Sequence, residues 1–243
     1  MSAKQQLKSW IHEADKIAVL TGAGFSVPSG IPDFRSAGGL YSERGEFSAP
    51  PETILSRTFF FSHTSEFYEF YRKKMIYPDA KPNIAHQTLA KLEEMGKDVA
   101  IITQNIDGLH QAAGSRKVIE LHGSIHRNYC IQCHTFYSLE DILSKEGVPR
   151  CRCGGIIKPD VVLYEEPLNQ KDLIRAMKAI EDAELLIVAG TSLNVQPAAS
   201  LVYYYKGHRF VMINLSETPY DHYANLIFHE PLETILNDEL LVE

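Results

Sequence analysis

Residues 17–36, "IAVLTGAGFSVPSGIPDFRS", constrain the fold more than any other stretch. The apolar run Ile17–Leu20 feeds Gly22 and Gly24, as a buried parallel strand feeds a phosphate-binding turn. A dinucleotide fold would continue into a helix, with its first amides on the pyrophosphate. Pro28 and Pro32 oppose that helix, because each lacks an amide donor and clashes with the preceding turn. The turn therefore implies a nucleotide site whose next segment is something other than a regular helix.

Four more apolar runs repeat the strand signal: Val99–Thr103, Val118–Leu121, Leu185–Ala189 and Phe210–Asn214. Between them, Ile84–Met95 and Gln170–Ala183 space their apolar residues at a helical period. This alternation predicts an α/β protein with a parallel sheet, helices on both faces and ligands at the carboxyl ends of the strands. Residues 36–81 and 127–158 break the rhythm and read as insertions. We expect one catalytic unit over 1–243. Its large lobe comprises 1–35, 82–126 and 159–243; its small lobe combines a helical module, 36–81, with a zinc ribbon, 127–158.

The ribbon rests on cysteines. All four lie in one window, as Cys130-x-x-Cys133 and Cys151-x-Cys153 with 17 residues between the pairs. Thiolates so spaced close a tetrahedron around zinc, and a stretch poor in apolar residues needs such a cross-link to hold a fold. The single residue inside the second pair implies an asymmetric knuckle. Four protein ligands leave no open position, so one structural zinc is expected. His126 and His134 read as surface residues.

Polar residues gather where the strands end. Gln104, Asn105 and Asp107 follow one strand; His122 and Gly123 follow the next; Gly190, Thr191 and Ser192 follow the third, and Asn214 closes the fourth. Asn and Asp at such places also form turns. A histidine there is a general-base candidate, since its pKa lies near working pH. Together with the glycine turn they outline a dinucleotide cleft.

The formal net charge is −7, with Lys and Arg scattered, so no nucleic-acid partner is expected. The first sixteen residues lack a signal-peptide core and read as an amphipathic helix through Leu7, Trp10, Ile11 and Ala14. No apolar run approaches the roughly 18 residues of a membrane span. Clustered thiols suit a reducing compartment. The sequence thus predicts a cytoplasmic protein without membrane contact, and a monomer.

"GAGFSVPSGIPDFRS" (22–36), "TQNIDGLH" (103–110), "HG" (122–123), the four cysteines, "KPDVV" (158–162), "GTSLNVQPA" (190–198) and "NLSETP" (214–219) occur in the order of the sirtuin family. The chain resembles these NAD-dependent protein deacylases over nearly its whole length, and most closely the undifferentiated bacterial type. The resemblance implies that the large lobe is Rossmann-like and the small one a zinc ribbon with a helical module, with NAD as a co-substrate and acylated-lysine proteins or peptides as partners. It implies that the proline-containing segment is a loop folding over the nicotinamide end. The acyl oxygen would attack C1′ of the nicotinamide ribose as nicotinamide leaves, giving an alkylamidate. His122 would then act as general base on a ribose hydroxyl, and water would complete release of lysine and O-acyl-ADP-ribose.

By position, Ala23, Phe34, Arg35, Gln104, Ile106, Asp107, Thr191, Ser192 and Asn214 match the family's NAD contacts, with Asn105 beside the nicotinamide as a catalytic residue. Phe34 would shield C1′ from water. Leu232 is assigned to the adenine from its separation from Asn214. An acyl-lysine peptide would add as a strand along Val162, Leu163 and Tyr164.

Two features depart from the pattern. Tyr164-Glu165-Glu166 replaces the common "FGE", placing Glu where relatives carry Gly and putting peptide preference in question. Tyr68, Tyr71 and Arg72 are out of register for gripping an acidic acyl group and are assigned to helix surface; acetyl, or a longer neutral acyl chain, is the expected group. Two rival functions are a protein mono-ADP-ribosyltransferase and a non-catalytic NAD-binding regulator.

Overall fold

The computed structural model describes residues 1–34, 39–40 and 46–242. Six strands form a wholly parallel sheet: β1 (Lys16–Thr21), β2 (Asp98–Thr103), β3 (Val118–Glu120), β7 (Leu185–Ala189), β8 (Phe210–Ile213) and β9 (Leu226–Phe228). Their order is β3-β2-β1-β7-β8-β9, so the chain reverses its direction of travel between β1 and β7. Such a switch point opens a crevice at the carboxyl ends of the two strands.

Strand alternation sorts the core into two layers. Ile17 and Val19 face α1 (Ala3–Glu13), α5 (Ile84–Glu94) and α9 (Leu232–Ile235), packing with Leu7, Ile11, Leu89 and Ile235. Ala18 and Leu20 face α8 (Gln170–Glu181) and a 3₁₀ segment, Ala198–Tyr204, packing with Ile180, Leu201 and Met212. Complete burial on both faces explains why β1, β2, β7 and β8 read as unbroken apolar runs. β9 was not expected. It has three residues, of which only Phe228 is buried, and so offers no run to detect.

A three-stranded sheet, ordered β5-β4-β6, lies outside this frame: β4 (Gly123–Cys130), β5 (Phe136–Tyr137) and β6 (Ile157–Val161). It shares an apolar cluster with α2 (Pro51–Ile54), α3 (Arg57–Ser62), α4 (Thr64–Lys74) and α7 (Leu139–Leu143). Phe60, Phe67, Tyr68 and Tyr71 form its aromatic centre, edge to face and stacked.

The surface assignment of Tyr68 and Tyr71 is therefore corrected, for both are fully buried. The Tyr68 hydroxyl donates to the Ile157 carbonyl, and Arg72 donates to the carbonyls of Lys145 and Gly147. These residues join the helical insertion to the cysteine-bearing one. Their i,i+3 spacing fits a surface face or a core face equally, and the aromatic partners decide between them. Among the described residues no helix is long and apolar enough to cross a membrane.

Candidate active site

The glycine turn at the end of β1 breaks into two 3₁₀ turns, Ala23–Phe25 and Val27–Ser29, and among the described residues that follow no α-helix begins before Pro51. It interlocks with the end of β7: Gly24 N–H donates to Gly190 O at 2.9 Å, and a Cβ on Gly190 would stand 2.3 Å from Phe25 N. Gly190 also has φ +61°, which a side chain would strain. Two backbones can thus meet at the switch point only through glycine. Asn83, which caps α5, donates Nδ2 to Phe25 O at 2.9 Å and fixes the turn from below.

Around this turn the strand-end polar residues form one network. Gln104 Nε2 donates to Thr191 Oγ1 at 3.1 Å, bridging the ends of β2 and β7. Asn105 Nδ2 donates to Gly22 O and Ser26 Oγ, both at 3.0 Å. Ser26 Oγ in turn donates to Asp107 Oδ2 at 2.6 Å, and Leu109 N–H donates to Asp107 Oδ1 at 2.9 Å. Burial raises the Asp107 pKa, and these two donors oppose the rise. Asn214 is held by its own backbone and by Nδ2 donation to Ser216 O at 2.7 Å.

His122 lies on the cleft wall just before Gly123, where φ is +78° and a Cβ would stand 1.8 Å from Asp160 O. Its Nδ1 is 2.9 Å from Gln104 O. A carbonyl oxygen only accepts, so Nδ1 carries the proton and Nε2 keeps its lone pair. Burial lowers the His122 pKa, against the opposing pull of the Gln104 carbonyl, and favours the neutral ring.

One cavity of 1320 Å³ runs along this surface. Fourteen expected ligand residues line it: Ala23, Phe34, Gln104, Asn105, Ile106, Asp107, His122, Val162, Leu163, Tyr164, Thr191, Ser192, Asn214 and Leu232. Arg35 lies outside the described residues. Sequence reasoning missed Ser26, which is 1% exposed and joins Asn105 to Asp107. A serine beside a glycine turn carries no signal of its own; its meaning comes from partners about 80 positions away in the chain.

The expected strand partner for peptide is partly occupied. Val162 N–H donates to His122 O, Leu163 N–H to Glu166 Oε2 and Tyr164 N–H to Leu55 O. The carbonyls of Leu163 and Tyr164 accept from Glu166 N–H and Arg57 N–H. Among the described residues the Val162 carbonyl accepts nothing.

Away from the cleft, the sulfurs of Cys130, Cys133, Cys151 and Cys153 lie within 4.8 Å of one another, with three pairs at 3.4–3.5 Å. Thiolates about 2.3 Å from a tetrahedral zinc stand roughly 3.8 Å apart, so the set fits one zinc. The tight second pair succeeds because Gly154, at φ +90°, turns the chain between Cys151 O and Gly154 N–H. His126 and His134 are exposed, as expected.

The Sir2 family profile matches residues 22–197. The chain belongs to the Sir2 family. It is 54% identical over 238 residues to the NAD-dependent protein deacetylase of Clostridium tetani (strain Massachusetts / E88), covering 97% of this chain and 96% of that one. A Sir2 structure holding a p53 peptide and NAD+ is similar at TM-score 0.84 and 42% identity, over 97% of this chain and 96% of that chain. Another, with the inhibitor EX-527, 2′-O-acetyl-ADP-ribose and deacetylated p53 peptide, is similar at TM-score 0.83 and 41% identity, over 96% and 95%. The sirtuin resemblance read from the motifs is thereby established, together with the Rossmann-like parallel-sheet fold.

Proposed function

We propose that this Sir2-family chain is an NAD-dependent protein deacetylase, removing acetyl or other acyl groups from lysine and releasing nicotinamide and O-acyl-ADP-ribose. The observation that carries this reading is the convergence of fourteen expected ligand residues on one cavity, with a neutral-favoured imidazole in its wall. Asp107 and Asn105 order the nicotinamide ribose, Gln104, Thr191 and Ser192 hold the ribose and phosphate side, and Asn214 with Leu232 contacts adenine. Ala23, Ile106 and Arg35 complete the NAD contacts, and Phe34 excludes water from the reacting carbon. His122 Nε2 takes the ribose hydroxyl proton.

The acyl-lysine peptide lies along Val162–Tyr164, where Val162 O is the backbone acceptor left for it. Zinc cross-links the 127–158 insertion and takes no part in the chemistry. Four thiols kept as ligands fit a cytoplasmic protein.

Incubation with NAD labelled in the adenosine ribose and an acetyl-lysine peptide tests the reading. Label is expected in soluble O-acetyl-ADP-ribose. Label transferred to protein would instead establish the ADP-ribosyltransferase, and unaltered NAD the non-catalytic regulator.

A further inference from the structure

Glu165 sits in backbone that its residue type resists. Leu163 O accepts from Glu166 N–H at 3.0 Å, closing a turn with Tyr164 and Glu165 at its centre, and φ of Glu165 is +75°. That value belongs to the third position of a type II turn, which favours Gly. Side-chain bonds hold the turn in place. Glu165 Oε2 accepts from Thr58 N–H at 2.9 Å and from Thr58 Oγ1 at 2.7 Å, in the first turn of α3. Beside it, Arg57 N–H donates to Tyr164 O and Tyr164 N–H to Leu55 O, so residues 55–58 and 164–165 are joined continuously. Glu166 secures the other side through Lys158 Nζ at 3.0 Å and Leu163 N–H at 3.0 Å.

The geometry points to Glu165 as a positioning residue: its clasp on Thr58 ties the Leu163–Glu166 turn to α3 and thereby sets the place of the Val162 carbonyl for the peptide. This rests on the substrate reading above. Where a glycine turn would be free to shift along the cleft, the clasp fixes it before substrate arrives, lowering the ordering cost of peptide binding. Peptide affinity then depends on Thr58, which lies outside the cavity lining.

Steady-state deacetylation of an acetyl-lysine peptide, with peptide and NAD varied in turn, tests this on wild type, Thr58→Val, Glu165→Gly and Glu165→Gln. Thr58→Val and Glu165→Gly are expected to raise peptide KM about five- to tenfold, the effect of losing one or two hydrogen bonds. In Thr58→Val, kcat and the KM for NAD stay at wild-type values. Glu165→Gln keeps an acceptor oxygen and restores peptide KM to near wild type. Wild-type peptide KM in both Thr58→Val and Glu165→Gly would overturn the proposal, as would a lower kcat and melting temperature with peptide KM unmoved. A wild type that deacylates no lysine peptide would overturn the substrate reading and this inference together.

Discussion

His122 gains its proposed role from two neighbours, the Gln104 carbonyl that fixes the protonated nitrogen and the buried wall that disfavours the cation. His122→Ala is expected to lower deacetylation by at least about a hundredfold while leaving the melting temperature close to wild type. Nicotinamide and product assays beside a thermal melt check both halves. The pH dependence has a definite sign: the base works when neutral, and its pKa in the folded protein lies below the ordinary 6.5. Activity should hold as pH falls to that value and decline only below it. A kcat/KM profile with its acidic midpoint above 6.5 would contradict the assignment. At this scale the sequence reveals residues whose meaning is local, such as His122 beside Gly123. Ser26 and the Thr58–Glu165 pair were not legible, because their partners stand 81 and 107 positions away.

Elements were legible in proportion to their burial. β1 and β7 announce themselves as apolar runs, whereas β4 and β6 do not, since their register shifts between Ser124 and Asn128 and Pro159 interrupts β6. The cysteines pointed to that small sheet when periodicity could not. Cys151→Ser is expected to reduce zinc from about one per chain to a small fraction and to raise amide exchange across 123–161, with the large sheet still protected. Metal analysis with hydrogen exchange reads both.

Helices α5 and α6 (Leu109–Ala112) meet through two histidines. Their residues His86 and His110 are buried with ring centres 4.7 Å apart, and His110 Nε2 lies 3.1 Å from Thr21 Oγ1. Burial lowers the His86 pKa to about 4 and moves His110 well down. The unfolded chain therefore takes up protons first as pH falls below about 6.5, and stability declines from there, the His86 share being complete near its folded value of about 4 and the His110 share extending lower. Above that window the pair has no effect on the pH dependence. His86→Gln should flatten part of the acid decline in melting temperature; an unchanged slope would count against the assignment.

For the molecule as a whole, strand order decides where chemistry is possible. The glycine turn and the polar strand ends sufficed to locate the cavity, and the prolines to signal the 3₁₀ turns that stand in place of a helix. How two insertions, 36–81 and 127–158, fuse into one aromatic cluster was beyond pattern reading, because Phe60, Phe67 and Tyr68 meet Ile157 only in three dimensions. Residues of that fused lobe, such as Leu55, Met75 and Leu139, and residues at the strand ends of the parallel sheet both line the cavity. The central proposal is that this cleft breaks the nicotinamide–ribose bond only when an acyl oxygen is present to take the sugar. Quantifying nicotinamide against deacylated peptide in single-turnover reactions tests it most directly. Equal amounts of the two are expected, and no nicotinamide without acyl-lysine; bound NAD that never yields nicotinamide, or yields it equally without peptide, would contradict the proposal.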